Sequence, residues 1–122
     1  MKHFKTSEFD SPDLKGSGKN MNKVLMGFLD IARARAGIPF KITSGYRTKE
    51  HNLKVGGRVG SSHCKGLAAD IYLPRNSRDR YLIINAIIEI GINRIGIDFN
   101  RNFIHVDIDS EKDENVLWTY KY

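Results

Sequence analysis

Three observations predict an α+β fold for this 122-residue chain, a small antiparallel sheet with helices packed on it. Apolar residues recur at three- and four-residue spacing in two long segments, short runs alternate apolar with polar residues, and three such runs are consecutive near the C-terminal end. One domain is expected at this length, because each domain must bury its own core. With 40% hydrophobic and 28% charged residues the composition is that of a folding chain, away from the mixtures that stay disordered.

Residues 1–20 are rich in Ser, Asp, Pro and Gly and read as an extended arm. A helix is expected over residues 21–36, where Val24, Leu25, Phe28, Ile31 and Ala32 share one face, Asn20 is placed to cap the start, and Gly37 with Pro39 ends it. Residues 40–44 alternate ahead of Gly45, as a short strand before a turn does. Thr48 caps a short helix that reaches Val55 and runs into a loop with Gly56, Gly57 and Gly60. Residues 67–73 form a second strand, closed by Pro74. Ser77 starts a helix to Ile90 whose apolar members Tyr81, Ile84, Ile87 and Ile88 repeat at helical spacing before Gly91. Strands follow at 94–97, 103–108 and 116–120, the first two joined by a turn from Asp98 to Asn102.

A net charge of +6 and a pI near 9.6 favour a polyanionic partner. The 20 basic residues are nevertheless spread out, with no run of five and no aromatic-interleaved stripe, so no specific nucleic-acid partner is expected. Weak attraction to an anionic polymer such as a bacterial cell wall suits the charge better. No apolar run approaches the roughly 20 residues of a membrane-spanning helix, and acidic and turn-forming residues interrupt the N-terminus before a signal-peptide core could form. Cys64 is the lone cysteine, so no internal disulfide is expected and either redox compartment suits the chain. A monomer is expected.

Two acidic or imidazole residues stand in apolar strands where a bare polar group is costly. Asp70 interrupts Leu67, Ala68, Ala69 and Ile71, and reads either as a metal ligand or as an edge aspartate in water or paired to Arg47. His105 sits among Phe103, Ile104, Val106 and Ile108, and reads as a satisfied core histidine or a ligand. Strand alternation aims Phe103, His105 and Asp107 at one face, so an imidazole and a carboxylate point the same way. With His63, seven residues before Asp70, the set is two imidazoles and one carboxylate. That set leaves a fourth position on zinc open for a water, which becomes a nucleophile near neutral pH. Cys64 is read as a small buried hydrophobe, His3 as part of the arm, and His51 as a loop histidine near the cleft.

Three motifs in order, SGYRT from Ser44, SSHCKGLAAD from Ser61 and FIHVD from Phe103, resemble the zinc D-alanyl-D-alanine carboxypeptidase family, which also includes L-alanyl-D-glutamate endopeptidases of bacteriophages. The middle motif has the form S-x-H-x-x-G-x-A-x-D, and the resemblance runs from about Phe40 to the C-terminal WTY. It implies that His63, Asp70 and His105 hold Zn2+, that Arg47 binds a substrate carbonyl or carboxylate and steadies the oxyanion, and that Ser61 or Ser62 adds a hydrogen bond in the cleft. Gly66 would allow the change of direction between His63 and the Asp70 strand.

Many relatives carry an acidic base three residues before the second zinc histidine, where this chain has Asn102, and some a further histidine where it has Phe103. Asp107 is the first candidate for the base, or else a carboxylate that orients His105, and Asp98 is the reserve. The implied function is a zinc peptidase of peptidoglycan stem peptides or cross-links, of carboxypeptidase or endopeptidase type. The alternative is a non-catalytic zinc module that binds the wall or a protein. With no signal peptide, release to the wall in phage lysis or from a virion is the expected route.

Overall fold

The computed structural model describes residues 1–121 and has three α-helices and a five-stranded sheet in the order β1-β2-β4-β3-β5. Helix α1 (Lys23–Ala36) is capped by Asn22, whose side chain accepts from the N–H groups of Val24 and Leu25, and it ends at Gly37 in the left-handed conformation. The cap is therefore Asn22 and not Asn20, which ends a 3-10 turn instead. Leu25, Met26, Leu29, Ala32 and Ala36 face inward, while Val24 and Ile31 are exposed. Helix α3 (Ser77–Glu89) is capped by Asn76 through the N–H of Asp79, and it buries Ile83, Ala86 and Ile87 rather than Tyr81 and Ile88. Both helices hold apolar residues on several sides, which is why the buried stripe lies about one residue from the expected one.

The strands are β1 (Ile42–Ser44), β2 (Ala68–Tyr72), β3 (Arg94–Asp98), β4 (Phe103–Asp107) and β5 (Val116–Thr119). β2 pairs antiparallel with β1 and β4, and β3 with β4. The sheet is mixed, because β5 joins β3 in parallel. β2 and β3 already flank β4, so the last strand cannot pair with β4 and adds beyond β3, and reaching it from the end of β4 reverses the chain once. Register places Ala69, Ile71, Ile95, Ile97, Ile104 and Val106 on one face, where they pack with α1 and α3 into the core. The alternate residues form the opposite face.

The N-terminal segment does not extend away as an arm. Two 3-10 turns, Thr6–Phe9 and Ser17–Asn20, fold it onto the body, with Phe4 and Phe9 buried and their rings 5.6 Å apart. Asp10 draws the segment together by accepting from the N–H groups of Gly16 and Gly18. Its polar composition concealed two aromatic anchors, which outweigh the turn-forming residues around them. Among the described residues no helix is long and apolar enough to cross a membrane.

Candidate metal centre

The site lies on the sheet face turned away from α1 and α3. Asp70 on β2 and His105 on β4 are direct cross-strand partners. His63 reaches the same point from the loop after α2 (Lys49–Lys54), so that one ligating atom from each of His63, Asp70 and His105 lies within 4.8 Å of the others. His63 Nε2 is 3.2 Å and His105 Nδ1 2.9 Å from the same oxygen, Asp70 Oδ1. Asp70 and His63 are buried and His105 is nearly so.

The outer ring nitrogens determine where the protons sit. His63 Nδ1 is 2.8 Å from the Gly45 carbonyl oxygen, and His105 Nε2 is 2.7 Å from Asp107 Oδ2. A carbonyl and a carboxylate oxygen only accept, so both nitrogens carry hydrogen and donate. Two imidazole lone pairs then converge on one carboxylate oxygen, an arrangement that requires a cation between them, whether protons or a metal. Burial disfavours a charged His105, yet Asp107 and Asp70 outweigh it and raise its pKa. Burial likewise opposes ionisation of Asp70, and the two histidines outweigh it and hold its carboxyl far below the usual range.

Each ligand-bearing segment is held from behind. The strand β1 slips by a bulge against β2, pairing Ser44 with Asp70, and the chain that follows wraps His63. Arg47 N–H donates to the His63 carbonyl at 3.2 Å. The arm braces this wrap, since Tyr46 N–H donates to the Phe9 carbonyl and a Cβ on Gly45 would lie 2.6 Å from the Phe9 Cα. Gly66 has φ +73 and meets the Asn20 carbonyl, so the turn expected there also allows a close backbone approach.

Arg47 is mostly buried, donating to Ser44 Oγ at 3.0 Å, Asn52 Oδ1 at 3.3 Å and Asp70 Oδ2 at 3.4 Å. Asp107 is buried, with Oδ2 on His105 and Oδ1 accepting from Arg94 Nε at 2.6 Å and from the Asp109 N–H at 3.1 Å. Asp98 is also buried and accepts from Arg101 Nε and the N–H groups of Asn100 and Arg101, which organises the β3–β4 turn. Asn102 stands in that turn at φ 57, a left-handed position that asparagine tolerates. His3, His51 and Cys64 are outside the three-residue cluster.

Ser61 Oγ accepts from the His63 N–H at 3.2 Å. Ser62 is buried and donates to Asp109 Oδ2 at 2.7 Å, while its oxygen accepts from Lys112 Nζ. Ser62 thus ties the His63 loop to the chain beyond β4 rather than opening onto a cleft. Nothing local in the sequence marks Asp109, whose partner Ser62 is 47 residues away. Burial opposes its ionisation, but Ser62, Lys65 and the Glu111 N–H lower its pKa from 3.8 to about 2. Its stabilising effect is therefore complete above pH ~3.8 and lost as pH falls through ~2. Thermal unfolding should show wild type more stable than Asp109→Asn near neutral pH, with the gap closing over that acid window.

Trp118 and Gly96 also escaped the sequence reading. Gly96 pairs with His105 on one side and Trp118 on the other, and a Cβ there would lie 2.5 Å from the Trp118 indole nitrogen. The ring lies across that space, 5.5 Å from the His105 ring between centroids. Gly96→Ala must displace it, and a loss of about 1–3 kcal/mol is expected in denaturant unfolding followed by tryptophan emission.

Fold and cluster together define an α+β protein with a candidate histidine–aspartate–histidine metal site. The Peptidase M15 family matches residues 2–107, and the chain belongs to that family. Membership makes it a metallopeptidase in class, and all three cluster residues lie inside the matched segment. No curated protein matches the chain.

Proposed function

We propose that this chain is a zinc peptidase of bacterial peptidoglycan, cleaving amide bonds of stem peptides or cross-links as a carboxypeptidase or an endopeptidase. The convergence of the His63 Nε2 and His105 Nδ1 lone pairs on Asp70 Oδ1 carries the reading. Zinc bound at about 2.0–2.2 Å in a tetrahedron sets its ligand atoms roughly 3.3–3.5 Å apart. The separations of 3.2 and 2.9 Å lie just inside that spacing, and one ligating atom from each of the three residues lies within 4.8 Å of the others, so the donor set of His63, Asp70 and His105 suits the ion. When bound, zinc supplies Lewis acidity for the amide carbonyl and an acidified water near neutral pH.

Arg47 holds the substrate carbonyl or carboxylate beside the metal ligands. Asp107 fixes the His105 ring with Nδ1 facing inward, so it positions a ligand and is not placed to take a proton from water. Ser61, less buried than Ser62, is the hydroxyl left to meet substrate, and Ser62 supports the loop. A net charge of +6 suits an anionic wall. Action there calls for release to the wall, as in phage lysis or from a virion.

A second reading, a non-catalytic zinc module that binds wall or protein, is favoured by one observation. Both carboxylates expected to serve as base, Asp107 and Asp98, are themselves buried and engaged by arginines, Asp107 by the mostly buried Arg94 and Asp98 by the exposed Arg101. The test is mass spectrometry of purified peptidoglycan incubated with wild type and with His63→Ala. The peptidase reading expects new termini from wild type alone, lost with chelator and restored by zinc. Wild type that holds one zinc and releases nothing from a range of walls refutes it.

A further inference from the structure

The site face has a direction. Across the sheet, one row runs from Ser44 on β1 through Asp70, His105 and Gly96 to Trp118 on β5. Arg47 stands at the β1 end, bonded to Ser44 and Asp70, and the indole stands at the other. A substrate laid along this row meets a cation, then the candidate metal ligands, then an aromatic surface. We propose that Trp118 and Tyr120 form the wall that seats the substrate residue next to the scissile bond, on the side away from Arg47.

Gly96 makes the wall possible. Without a side chain there, the indole folds inward over β3 and reaches the His105 ring at 5.5 Å instead of standing two strands away. That distance is between one and two residues of extended peptide at about 3.3 Å each, which selects the residue adjoining the bond. The inner side of the indole covers Gly96, and the residue as a whole is only half-buried. Tyr120 continues the surface, half-buried, with its ring 5.2 Å from that of Phe103 and the Arg101 guanidinium 5.7 Å from its centre. Burial raises the pKa of its phenol, and the negative charges of Asp70 and Asp98 add to this, against Trp118 and Arg101. A flat indole beside a phenol suits a small apolar side chain next to a peptide carbonyl, as an alanyl residue presents. The family match ends at residue 107, so it assigns nothing to this wall.

The inference rests on the peptidase reading, and Trp118, the only tryptophan, allows the two to be tested apart. Zinc-loaded wild type is titrated with stem peptide released from purified walls, recording emission before turnover. The same titration uses synthetic analogues with each alanine replaced in turn by glycine. A saturable emission change is expected, together with weakened binding for one analogue. Trp118→Phe and Tyr120→Phe should keep one zinc and lower kcat/KM by about tenfold, mainly through KM. For Trp118→Phe this loss should shrink on the glycine analogue, because the methyl group it contacts is gone. Cleavage by wild type with no emission change, or with an unchanged KM in both variants, overturns the wall. An emission change without cleavage sinks the peptidase reading and with it the placement beside a scissile bond, leaving Trp118 as a peptide-binding surface alone.

Discussion

Asp70→Ala is expected to leave the protein without bound zinc and to lower peptide release by about a thousandfold or more, since loss of a ligand removes the ion that activates both water and carbonyl. Asp70 is the anion on which everything else converges: His63 and His105 approach one oxygen and Arg47 the other. Without it two imidazoles and a guanidinium face one another in a buried space, and breaking such a pair costs about 3–5 kcal/mol. Asp70→Asn keeps the volume and isolates the charge. Zinc content by elemental analysis, read beside activity, decides the matter. Full zinc with wild-type turnover in Asp70→Asn would remove Asp70 from the metal site.

The same geometry sets a pH dependence. His105 has a raised pKa in the folded chain, so its protonated form stabilises the fold. That contribution is complete below the unfolded value of about 6.5 and lost as pH rises through the folded pKa. Chelated protein should therefore lose stability in thermal unfolding as pH rises through that range. Zinc affinity should move the opposite way, falling as protons claim His105 at low pH.

The site was legible because its motifs are local. His63 and Asp70 share one loop and strand, and alternation along β4 put His105 and Asp107 on one face without any knowledge of the partner strand. Element types followed from periodicity for the same reason. What could not be read is what the chain joins over long distances. Ser62 and Asp109 look like two unremarkable polar residues until β4 brings them together. Trp118 gains its place only because β5 pairs with β3 in parallel register opposite Gly96. The arm was misread because composition weighs Ser, Gly and Asp by number, whereas Phe4 and Phe9 act through buried area. Alternation along β4 aims Asp107 at the site, but it does not show the bonds of its second oxygen to Arg94 and the Asp109 N–H, which lie outside that strand's 103–107 span or on another strand.

Arg47→Ala should lower kcat/KM by about 100- to 1,000-fold, the usual cost of removing a donor to a developing oxyanion. Its guanidinium has five N–H groups, of which Ser44, Asn52 and Asp70 take three, leaving two for a substrate oxygen. A purely structural ion pair would give another outcome, with zinc and thermal stability falling alongside activity. Arg47→Lys should rescue little, because an ammonium cannot keep three anchors and still present a fork. The kinetic split also bears on the type of peptidase. If Arg47 meets charge that develops only in the transition state, kcat falls with KM nearly unchanged. If it meets a terminal carboxylate already charged in the bound substrate, the loss appears largely in KM. Steady-state kinetics of Arg47→Ala on stem peptides with free and amidated C-termini separates these. A penalty that vanishes on the amidated peptide marks a carboxypeptidase, and one that persists on both marks an oxyanion contact that an endopeptidase also needs.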